Sequence, residues 1–458
     1  MLLLPLETLT RDLDYKLILG AEHAARACGA LLGRHDVLLR MAAMVGPGVY
    51  VGKNVLIVPS NTPGNPGRYH RLKGHGFSLL HLDEEGAFFS SDLSLDKALD
   101  LRLDATLFHE NDAILTWGSQ QATHYRERRG SAAPVIVTGQ PRFDLMKPGN
   151  LWWRDDAQHL ASRYGRYVLI NTNLTTALPA EGLRRWLRSG LVRGRGVERI
   201  PLSTDDRMAF GSQLQVLSGL MRLVEELANS QLCDTVVVRP HPGEDLSVYE
   251  GLFADLPNTI VCRHGPVGPW IKGAAVIVHT GCTTALEAAL ANKPVVGLRF
   301  DDAKLGSPMT FKLGSACATP DEAIAAIGAT LARGYETVPH ATSYLRDLVA
   351  NVDSSFNSFA ACGVAIDQAL ADPRLRSKDH SSRMLRAWLG IEDLGDGARL
   401  TRHAICRRRR QDFLAYRARF AGLDSSRLHA LLARASELLD VNIRGTMLGR
   451  NALLLQSS

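Results

Sequence analysis

The chain has 458 residues, 45% of them hydrophobic, and a formal net charge of +6. This length exceeds one ordinary core, so we expect two α/β domains with an appendage. No stretch of about 18 apolar residues occurs, and Glu7 and Arg11 soon follow the opening apolar run, which argues against a membrane span or signal peptide and predicts a cytoplasmic protein. The seven cysteines include no Cys-x-x-Cys pair, so we expect free thiols and no structural zinc.

Short apolar runs alternate with segments of helical period from the start of the chain, a pattern typical of buried parallel strands and crossover helices. We therefore predict an N-terminal Rossmann-like domain over residues 1–155. Its predicted strands are residues 2–6, 37–39, 55–58, 77–82, 114–117 and 135–138.

The same pattern resumes after a polar, Trp-containing stretch and predicts a second Rossmann-like domain over residues 156–370. Its predicted strands are residues 167–171, 235–238, 259–261, 276–279 and 295–298. A helix between the first two of these strands carries an apolar stripe, which we interpret as core. The stripe consists of Phe210, Leu214, Leu217, Met221 and Val224. Two such halves predict a ligand cleft between the carboxyl ends of their strands.

Beyond residue 370 the strand pattern stops, and residues 371–458 are predicted to form a basic helical extension. This segment holds 17 Lys or Arg against 9 Asp or Glu, a balance of +8, which leaves −2 of the net +6 for residues 1–370. Its predicted helices are residues 383–389, 405–420 and 427–441. The basic character of the protein therefore belongs to the tail.

The predicted strand at 235–238 leads into Arg239-Pro240-His241-Pro242. The two prolines restrict the backbone on both sides of His241, so the imidazole is held at the carboxyl end of the strand at little further entropic cost. An imidazole in that position suits a phosphate oxygen of a nucleotide, or the protonation of a leaving phosphate. The alternative is a histidine that only caps a turn.

The predicted strand at 276–279 leads through a turn that contains glycine and threonine into a helical run. Unpaired backbone N–H groups and the helix dipole make such a helix start an anion site. Thr283 and Thr284 would add hydroxyl donors, and Glu287 could accept from ribose hydroxyls. The alternative is ordinary N-capping by threonine with a glutamate on the helix surface.

The predicted strand at 77–82 runs into Asp83, Glu84 and Glu85, followed by Gly86, which permits a sharp turn. Three adjacent carboxylates repel one another, and this repulsion is expected to raise at least one pKa, as a general base requires. Alternation would place Asp83 and Glu85 on one side and Glu84 on the other. The alternative is an acidic surface turn.

Weaker candidates also follow predicted strands, and salt bridges between loops would explain them nearly as well. They are Glu7, Arg11, Asp14, Lys53, residues 118–121, which could contact an acceptor, and residues 139–144. No Asp-x-Asp pair supports a divalent metal, and no metal site is expected.

Taken together, these motifs resemble those of the bacterial surface carbohydrate biosynthesis proteins, a family of predicted glycosyltransferases of the GT-B type. The resemblance covers about residues 1–345. Its motifs are residues 4–7, 11–14, 82–86, 139–144, 239–242 and 279–287. It implies a GT-B architecture, with two Rossmann-like domains facing a cleft, and leaves the basic helical tail outside the family region.

The acid-acid-Gly motif with His-Pro is also similar to that of bacterial sialyltransferases, polysialyltransferases and 3-deoxy-octulosonic acid transferases. This resemblance implies a CMP-linked acidic sugar as donor, a glycan or lipid-linked acceptor, and no cofactor. It implies that Glu85, with Glu84 in reserve, is the catalytic base and that His241 binds the phosphate. The other expected nucleotide ligands are Arg239, Thr280, Thr283, Thr284 and Glu287.

Arg-Pro-His-Pro followed by a Thr-rich turn is similar as well to CDP-glycerol glycerophosphotransferases and, more loosely, to UDP-N-acetylglucosamine 2-epimerases. The first would make teichoic-type polymers, and the second would catalyse a different reaction on the same fold. The expected spread of acids and histidines of the epimerases is not found, which weakens that alternative.

The tail contains four consecutive arginines, Arg407 to Arg410. Such a run can bind nucleic acid or anionic lipid. Because no aromatic platform is interleaved with it, we do not expect nucleic acid as a partner. Peripheral attachment to the anionic inner face of the membrane fits a transferase that acts on lipid-linked acceptors, and a solvated helical face is the alternative.

Overall fold

The computed structural model shows two compact units. The first comprises Met1–Ala87, Leu95–Asp144 and Arg346–Ser458, and the second is built on Leu145–Leu345. The structure describes residues 1–26, 29–53, 66–85, 95–128, 130–180, 182, 204–300, 309–333, 345–375, 385 and 422–457.

The strands of the described residues are numbered in chain order. They are β1 (Leu2–Leu6), β2 (Ala30–Arg34), β3 (Gly48–Val51), β4 (Phe77–Leu82), β5 (Ala113–Thr116), β6 (Val135–Val137), β7 (Tyr167–Asn171), β8 (Thr235–Arg239), β9 (Thr259–Val261), β10 (Val276–His279), β11 (Val295–Leu298), β12 (Ser315–Cys317), β13 (Ile443–Met447) and β14 (Ala452–Ser457).

The α-helices are numbered in the same way. They are α1 (Leu9–Ala25), α2 (His35–Val45), α3 (Pro66–Gly74), α4 (Leu95–Arg102), α5 (Ser119–Thr123), α6 (Pro141–Asp144), α7 (Arg154–Tyr164), α8 (Thr204–Asn229), α9 (Leu246–Phe253), α10 (Val267–Gly273), α11 (Thr284–Leu290), α12 (Pro320–Arg333), α13 (Ser358–Leu370) and α14 (Ser425–Leu439). Shorter 3-10 or π turns occupy Ala105–Leu107, His124–Arg128, Thr310–Lys312, Ala350–Val352 and Pro373–Leu375.

Within the described residues, the first unit holds a sheet of eight strands in the order β13-β14-β2-β1-β3-β4-β5-β6. The six strands β2-β1-β3-β4-β5-β6 are parallel to one another. β1 is buried along its whole length, as the apolar run Leu2–Leu6 predicts for a strand covered on both faces. Because β1, β3 and β4 are neighbours, the residues that follow Leu6, Val51 and Leu82 meet at one edge of this sheet.

The described part of the second unit holds a six-stranded parallel sheet in the order β12-β11-β10-β7-β8-β9. Its core includes Val168, Ile170, Val236, Val238 and Val278, which alternate along the central strands. The carboxyl ends of β10, β7 and β8 are neighbours. The predicted pair of largely parallel α/β sheets is therefore confirmed.

One predicted strand of the first unit is wrong: residues 37–39 belong to helix α2. The buried residues of that helix continue at Met41, Ala42 and Val45, which is helical spacing. An apolar run of three residues fits a strand and a buried helical turn equally well. The spacing of the apolar residues up to Val45 identifies the helix. β2 and β3 were not anticipated, and the predicted strand at 55–58 lies outside the described residues.

The apolar stripe predicted as core on the long helix α8 is partly wrong. Leu214 and Met221 are 41% and 39% exposed, whereas Val224 is fully buried. The buried side of the helix consists of Val216, Leu220, Leu223, Val224 and Leu227. Two apolar rows with the same spacing run side by side on this helix, and spacing alone does not tell which row packs on the sheet.

The prediction that strands stop near residue 370 is also wrong. The described tail contains the last of the three predicted helices, as α14, but also the hairpin β13–β14. β14 pairs antiparallel with β2, so these strands belong to the first sheet. Residues 371–458 were expected as a separate extension, whereas their described part, which includes α14 and the hairpin, belongs to the first unit.

Among the helices of the described ranges, none combines the length and apolar composition that crossing a bilayer requires.

Candidate functional site

The three carboxylates after β4 separate as alternation predicts. Arg102 contacts Asp83 and Glu85, each at 3.4 Å, so these two side chains share one side of the chain. The carboxylate of Glu84 points elsewhere and contacts Lys16 at 2.7 Å. Gly86, expected to allow the turn, lies outside the described residues. The alternative of a plain acidic surface turn therefore does not describe Glu84.

Glu84 is sealed in the interior, with 1% exposure. Its carboxylate accepts hydrogen bonds from the Tyr15 hydroxyl at 2.5 Å and from Lys16 Nζ at 2.7 Å. Lys16 also donates to the carbonyl of Pro5 at 2.6 Å. Burial raises the pKa of Tyr15, so this phenol stays a donor. Glu84 thus ties α1 to the carboxyl ends of β1 and β4.

Glu85 keeps 44% of its side chain exposed and is surrounded by cations. Arg11, Lys53 and Arg102 contact its carboxylate at 2.9, 3.5 and 3.4 Å. Burial favours the neutral form, but Lys53, Arg11 and Arg102 outweigh it and lower the pKa of Glu85 to about 2. The predicted rise in pKa is therefore wrong for this residue, because the repulsion argument left out the cations that two helices and the segment after β3 bring to Glu85.

Two of the weaker candidates complete this group. Glu7 contacts Arg11 at 3.0 Å and Lys53 at 2.8 Å. Burial opposes ionisation of Glu7, but Lys53 and Arg11 together lower its pKa. We call Glu7, Arg11, Lys53, Glu85 and Arg102 the Glu85 cluster. It offers carboxylates that stay ionised in neutral water and can accept hydrogen bonds from hydroxyl groups.

The other weaker candidates of the first unit have structural partners. Gln140 Nε2 donates to the carbonyl of Asp83 at 3.1 Å, which fixes the acidic turn. Asp144 accepts from the backbone N–H of Ser358 at 2.5 Å, which caps the start of α13. Asp14 is buried and lies 3.9 Å from Arg427 of the tail helix α14.

The segment 118–121, expected to contact an acceptor, is held by main-chain contacts of its own unit. Gln121 Oε1 accepts from Trp117 N at 2.9 Å, and Gln120 N donates to the carbonyl of Asp347 at 3.0 Å. A side chain at Gly118 would lie 2.4 Å from that same carbonyl. The glycine is required by this close approach.

In the second unit, His241 is half-buried just beyond the carboxyl end of β8. The backbone N–H of Gly243 donates to His241 Nδ1 at 3.0 Å. Since Nδ1 accepts this bond, the neutral imidazole carries its proton on Nε2. The ring is therefore set to act as a donor through Nε2.

Arg239 was expected as a nucleotide ligand, but its guanidinium N–H groups bond to backbone carbonyls of its own unit. Its guanidinium donates to the carbonyls of His264 and Gly265 at 2.9 and 2.6 Å and lies 5.5 Å from the centre of the Trp270 ring. The side chain is buried. Arg239 thus orders the loop after β9.

Glu244 was missed by sequence reasoning. It is fully buried, and its carboxylate accepts from the Thr172 hydroxyl at 2.5 Å, from the Tyr249 hydroxyl at 2.7 Å and from the backbone N–H of Leu174. Burial raises its pKa, and these hydrogen bonds oppose that rise. A glutamate two residues after His-Pro is the only signal in the sequence that could have pointed to it.

The turn after β10 does not show the threonine N-cap that was the alternative to an anion site. Thr280 is buried, and its hydroxyl accepts from the backbone N–H of Asn173 at 2.8 Å. Thr283 precedes α11 but makes no side-chain cap hydrogen bond and stays partly exposed. Thr284 and Glu287 are buried, so the alternative of a surface glutamate is wrong. Only Thr283 of this turn presents a hydroxyl at the surface of its unit.

Asn171 is a second residue that sequence reasoning missed. It ends β7 and lies in register with His279 on one side and Arg239 on the other. In the described part of the chain, its buried Nδ2 has no hydrogen-bond partner. The polar run Asn-Thr-Asn directly after a buried strand was the available signal.

His279 accepts the same backbone hydrogen bond as His241, but its side chain is buried. The backbone N–H of Gly281 donates to its Nδ1 at 3.1 Å. His279 is 1% exposed, and burial lowers its pKa to about 3. Both histidines belong to a His-x-Gly turn at the end of a parallel strand, and only His241 is open to solvent.

No group of three or more His, Cys, Asp or Glu side chains in the described ranges is arranged to hold a metal ion.

No protein-family model matches the chain, and a search of curated proteins gave no match. Among solved structures, S. aureus MnaA with UDP matches at 12% identity over 81% of this chain and 94% of that chain, with a TM-score of 0.45. Anabaena HepE in complex with UDP-glucose matches at 13% identity over 81% and 98%, with a TM-score of 0.42. The UDP-GlcNAc 2-epimerase from Methanocaldococcus jannaschii matches at 13% identity over 67% and 80%, with a TM-score of 0.40. Likenesses at this level carry no conclusion about function.

Proposed function

We propose that the chain is a glycosyltransferase that takes a nucleotide-activated sugar as donor. The observation that supports this most is the turn at His241, where the Gly243 N–H bond to Nδ1 at 3.0 Å sets Nε2–H as the ring donor. A donor at the carboxyl end of a parallel strand suits a phosphate oxygen. We assign the nucleotide to this edge of the second sheet.

The expected nucleotide ligands receive different roles in this proposal. His241 and Thr283, which are open to solvent, bind the phosphate directly. Thr280, Thr284 and Glu287 are buried and support the turn after β10. Arg239 supports the neighbouring loop through its two backbone contacts.

We assign the base to Glu85 rather than Glu84, because Glu85 is 44% exposed and Glu84 is closed off by Tyr15 and Lys16. Since Arg11, Lys53 and Arg102 lower the pKa of Glu85, this role requires that the acceptor displace some of these contacts when it binds. In the transfer, the acceptor hydroxyl oxygen bonds to the anomeric carbon, and Glu85 takes the hydroxyl proton. The bond from that carbon to the phosphate oxygen breaks, and its electron pair stays on the nucleotide. His241 stabilises the charge that develops there by donating from Nε2.

The donor we favour is a CMP-linked acidic sugar of the ulosonic type, and the acceptor is a glycan or a lipid-linked saccharide of a surface polysaccharide. Both assignments rest on the motifs Asp83-Glu84-Glu85 and His241-Pro242 and their resemblance to CMP-sugar transferases. CDP-glycerol-dependent polymer synthesis and a UDP-N-acetylglucosamine 2-epimerase reaction are the alternatives that the test must separate.

The test measures thermal unfolding with CMP, CDP, UDP and GDP. A nucleotide at one hundred times its Kd stabilises the folded state by about 2.7 kcal/mol. We expect the largest shift with CMP and its loss in His241→Ala, with His159→Ala, an exposed histidine of α7, as the matched control. A response to CDP or UDP alone would favour the respective alternative, and no response to any nucleotide would contradict the proposal.

We further propose that transfer needs no divalent cation, because His241 and Thr283 interact with the phosphate in place of a cation. Turnover is expected to survive EDTA. Loss of turnover on chelation, with recovery on addition of magnesium or manganese, would contradict this.

We also propose peripheral membrane attachment through Arg407 to Arg410, which lie outside the described residues. Replacing all four with glutamine should weaken binding to phosphatidylserine vesicles by roughly 1 kcal/mol for each arginine. The affinity for CMP should stay the same. Unchanged vesicle binding would identify the run as a solvated helical face.

A further inference from the structure

We propose that Glu244 is a positioning residue that holds the His241 turn so that the imidazole donates through Nε2 to an oxyanion. The oxyanion part of this inference rests on the proposed function, whereas the control of the turn does not. Glu244 touches no expected substrate atom; it acts through His241.

The carboxylate of Glu244 joins the turn to the segment after β7. Thr172 and Leu174 of that segment both donate to it, and Tyr249 of α9 donates from the other direction. A fully buried carboxylate without such donors would be costly, so these contacts fix the position of residue 244 closely.

The backbone of Glu244 then fixes His241. Its N–H donates to the carbonyl of His241 at 2.9 Å, which closes the turn. Arg263 donates to the carbonyls of both His241 and Glu244, at 3.2 and 2.8 Å. The carboxylate and the turn are therefore one connected hydrogen-bonded unit.

A short antiparallel bridge adds a second, independent restraint. Pro179 and Glu244 are bridge partners. Ala180 N donates to the carbonyl of Gly243 at 2.8 Å, and Asp245 N donates to that of Leu178 at 2.9 Å. The two peptide units that flank Glu244 are thus both held, and the first of them directly follows the Gly243 N–H, the group that selects the tautomer of His241.

Gly243 leaves the ring little room to turn away. A side chain at this position would lie 3.2 Å from His241 Nδ1 and 3.1 Å from the methyl group of Thr175. The imidazole and the glycine are therefore in close contact. The ring orientation therefore depends on where the Glu244 contacts place Gly243.

The experiment uses the full chain with 15N-labelled histidine and records the ring nitrogens of His241 by NMR without any ligand. We expect Nε2 protonated and Nδ1 unprotonated in the wild type, with the signals identified by their loss in His241→Gln. In Glu244→Ala we expect both tautomers in exchange. Glu244→Gln should restore the single tautomer, because its amide oxygen still accepts from Leu174 N and the two hydroxyls can rotate to accept from its NH2 group.

Affinity for CMP is measured on the same variants by calorimetry. Glu244→Ala should weaken binding about tenfold, and Glu244→Gln less than about twofold, as expected for a charge-assisted contact that loses its orientation. A folded Glu244→Ala protein that keeps the single Nε2–H tautomer would overturn the inference. If the tautomer responds as expected but the wild type binds no nucleotide, the positioning role stands and the proposed function fails.

If Glu244→Ala does not fold, a Thr172→Val/Tyr249→Phe double variant decides the question, because it removes two donors and leaves the carboxyl side chain in place. A mixture of His241 tautomers is then the expected result. An unchanged spectrum would overturn the inference.

Discussion

Two adjacent glutamates show how much one peptide unit changes the chemistry of a carboxylate. Glu84 has 1% exposure and a lysine partner at 2.7 Å, whereas Glu85 has 44% side-chain exposure and three cations around it. The reversal of direction at each residue near a strand end separates them. The first is an interior anchor, and the second is an ionised acceptor open to solvent.

Glu85→Gln is expected to lower turnover about a hundredfold while CMP binding stays the same, because glutamine keeps the size but does not accept the proton. The measurement is steady-state transfer together with CMP affinity. Full activity in this variant would remove Glu85 from the mechanism.

Glu84→Gln is the matched comparison, and its effect should appear in a different measurement. It leaves Lys16 buried without its carboxylate partner, which costs about 3–5 kcal/mol in other proteins. We expect a loss of unfolding free energy in urea. Turnover per folded molecule should change far less than in Glu85→Gln.

At the scale of single residues, the sequence predicted that carboxylates cluster after β4, but it did not predict their pKa values. Asp83, Glu84 and Glu85 were identified from the end of one apolar run. The cations that lower the pKa of Glu85 come from other parts of the chain, Arg11, Lys53 and Arg102, and local repulsion does not include them. Glu244 was missed for a similar reason, since Thr172 and Leu174 are distant in sequence.

At the scale of elements, the tail hairpin depends on a close approach between two strands. Gly33 of β2 pairs with Ala452 of β14. A side chain at Gly33 would lie 2.6 Å from the carbonyl of Asn451. The absence of a side chain at this position is therefore what lets β14 cover the edge of β2.

Gly33→Ala is expected to destabilise the protein by about 1–3 kcal/mol, the usual cost of overpacking. Gly74→Ala is the control, because a side chain there would meet no atom within 4 Å. Equilibrium unfolding in urea measures both. Equal stability of the two variants would mean that the hairpin can shift away from β2 without cost.

Long apolar runs predicted their elements well, and short or shared patterns did not. The runs at Phe77–Leu82 and Tyr167–Asn171 became β4 and β7 with the expected bounds. Residues 37–39 became part of a helix, because their apolar neighbours continue at helical spacing. The hairpin β13–β14 pairs with β2, which is far away in sequence. No local sequence pattern therefore predicts that these residues join the sheet.

At the scale of the whole molecule, buried neutral histidines make the fold sensitive to acid. Burial lowers the pKa of His81 to about 4 and that of His279 to about 3. Between those values and the ordinary value of about 6.5, the unfolded chain binds protons that the folded chain does not. The free energy of unfolding therefore falls as the pH drops below about 6.5.

We expect the free energy of unfolding to fall by about 2 kcal/mol for each of these two histidines between about pH 7 and pH 5. The measurement is urea unfolding across that range. In His279→Asn, which keeps an acceptor for Gly281 N, the free energy of unfolding should change less with pH than in the wild type. A wild-type stability that stays flat from about pH 7 to pH 5 would contradict this prediction.

The pairing of Leu31 with Leu454 has a consequence for synthesis of the protein on the ribosome. All residues of the second unit, which ends at Leu345, are synthesised before the tail, so this unit can fold while translation is still under way. The first sheet stays incomplete until β14 has left the exit tunnel, so the edge of β2 is open for most of the time the chain is being made. A ribosome that stops before residue 452 would therefore release a chain with one completed unit and one uncovered strand edge, which chaperones or proteases would be expected to bind.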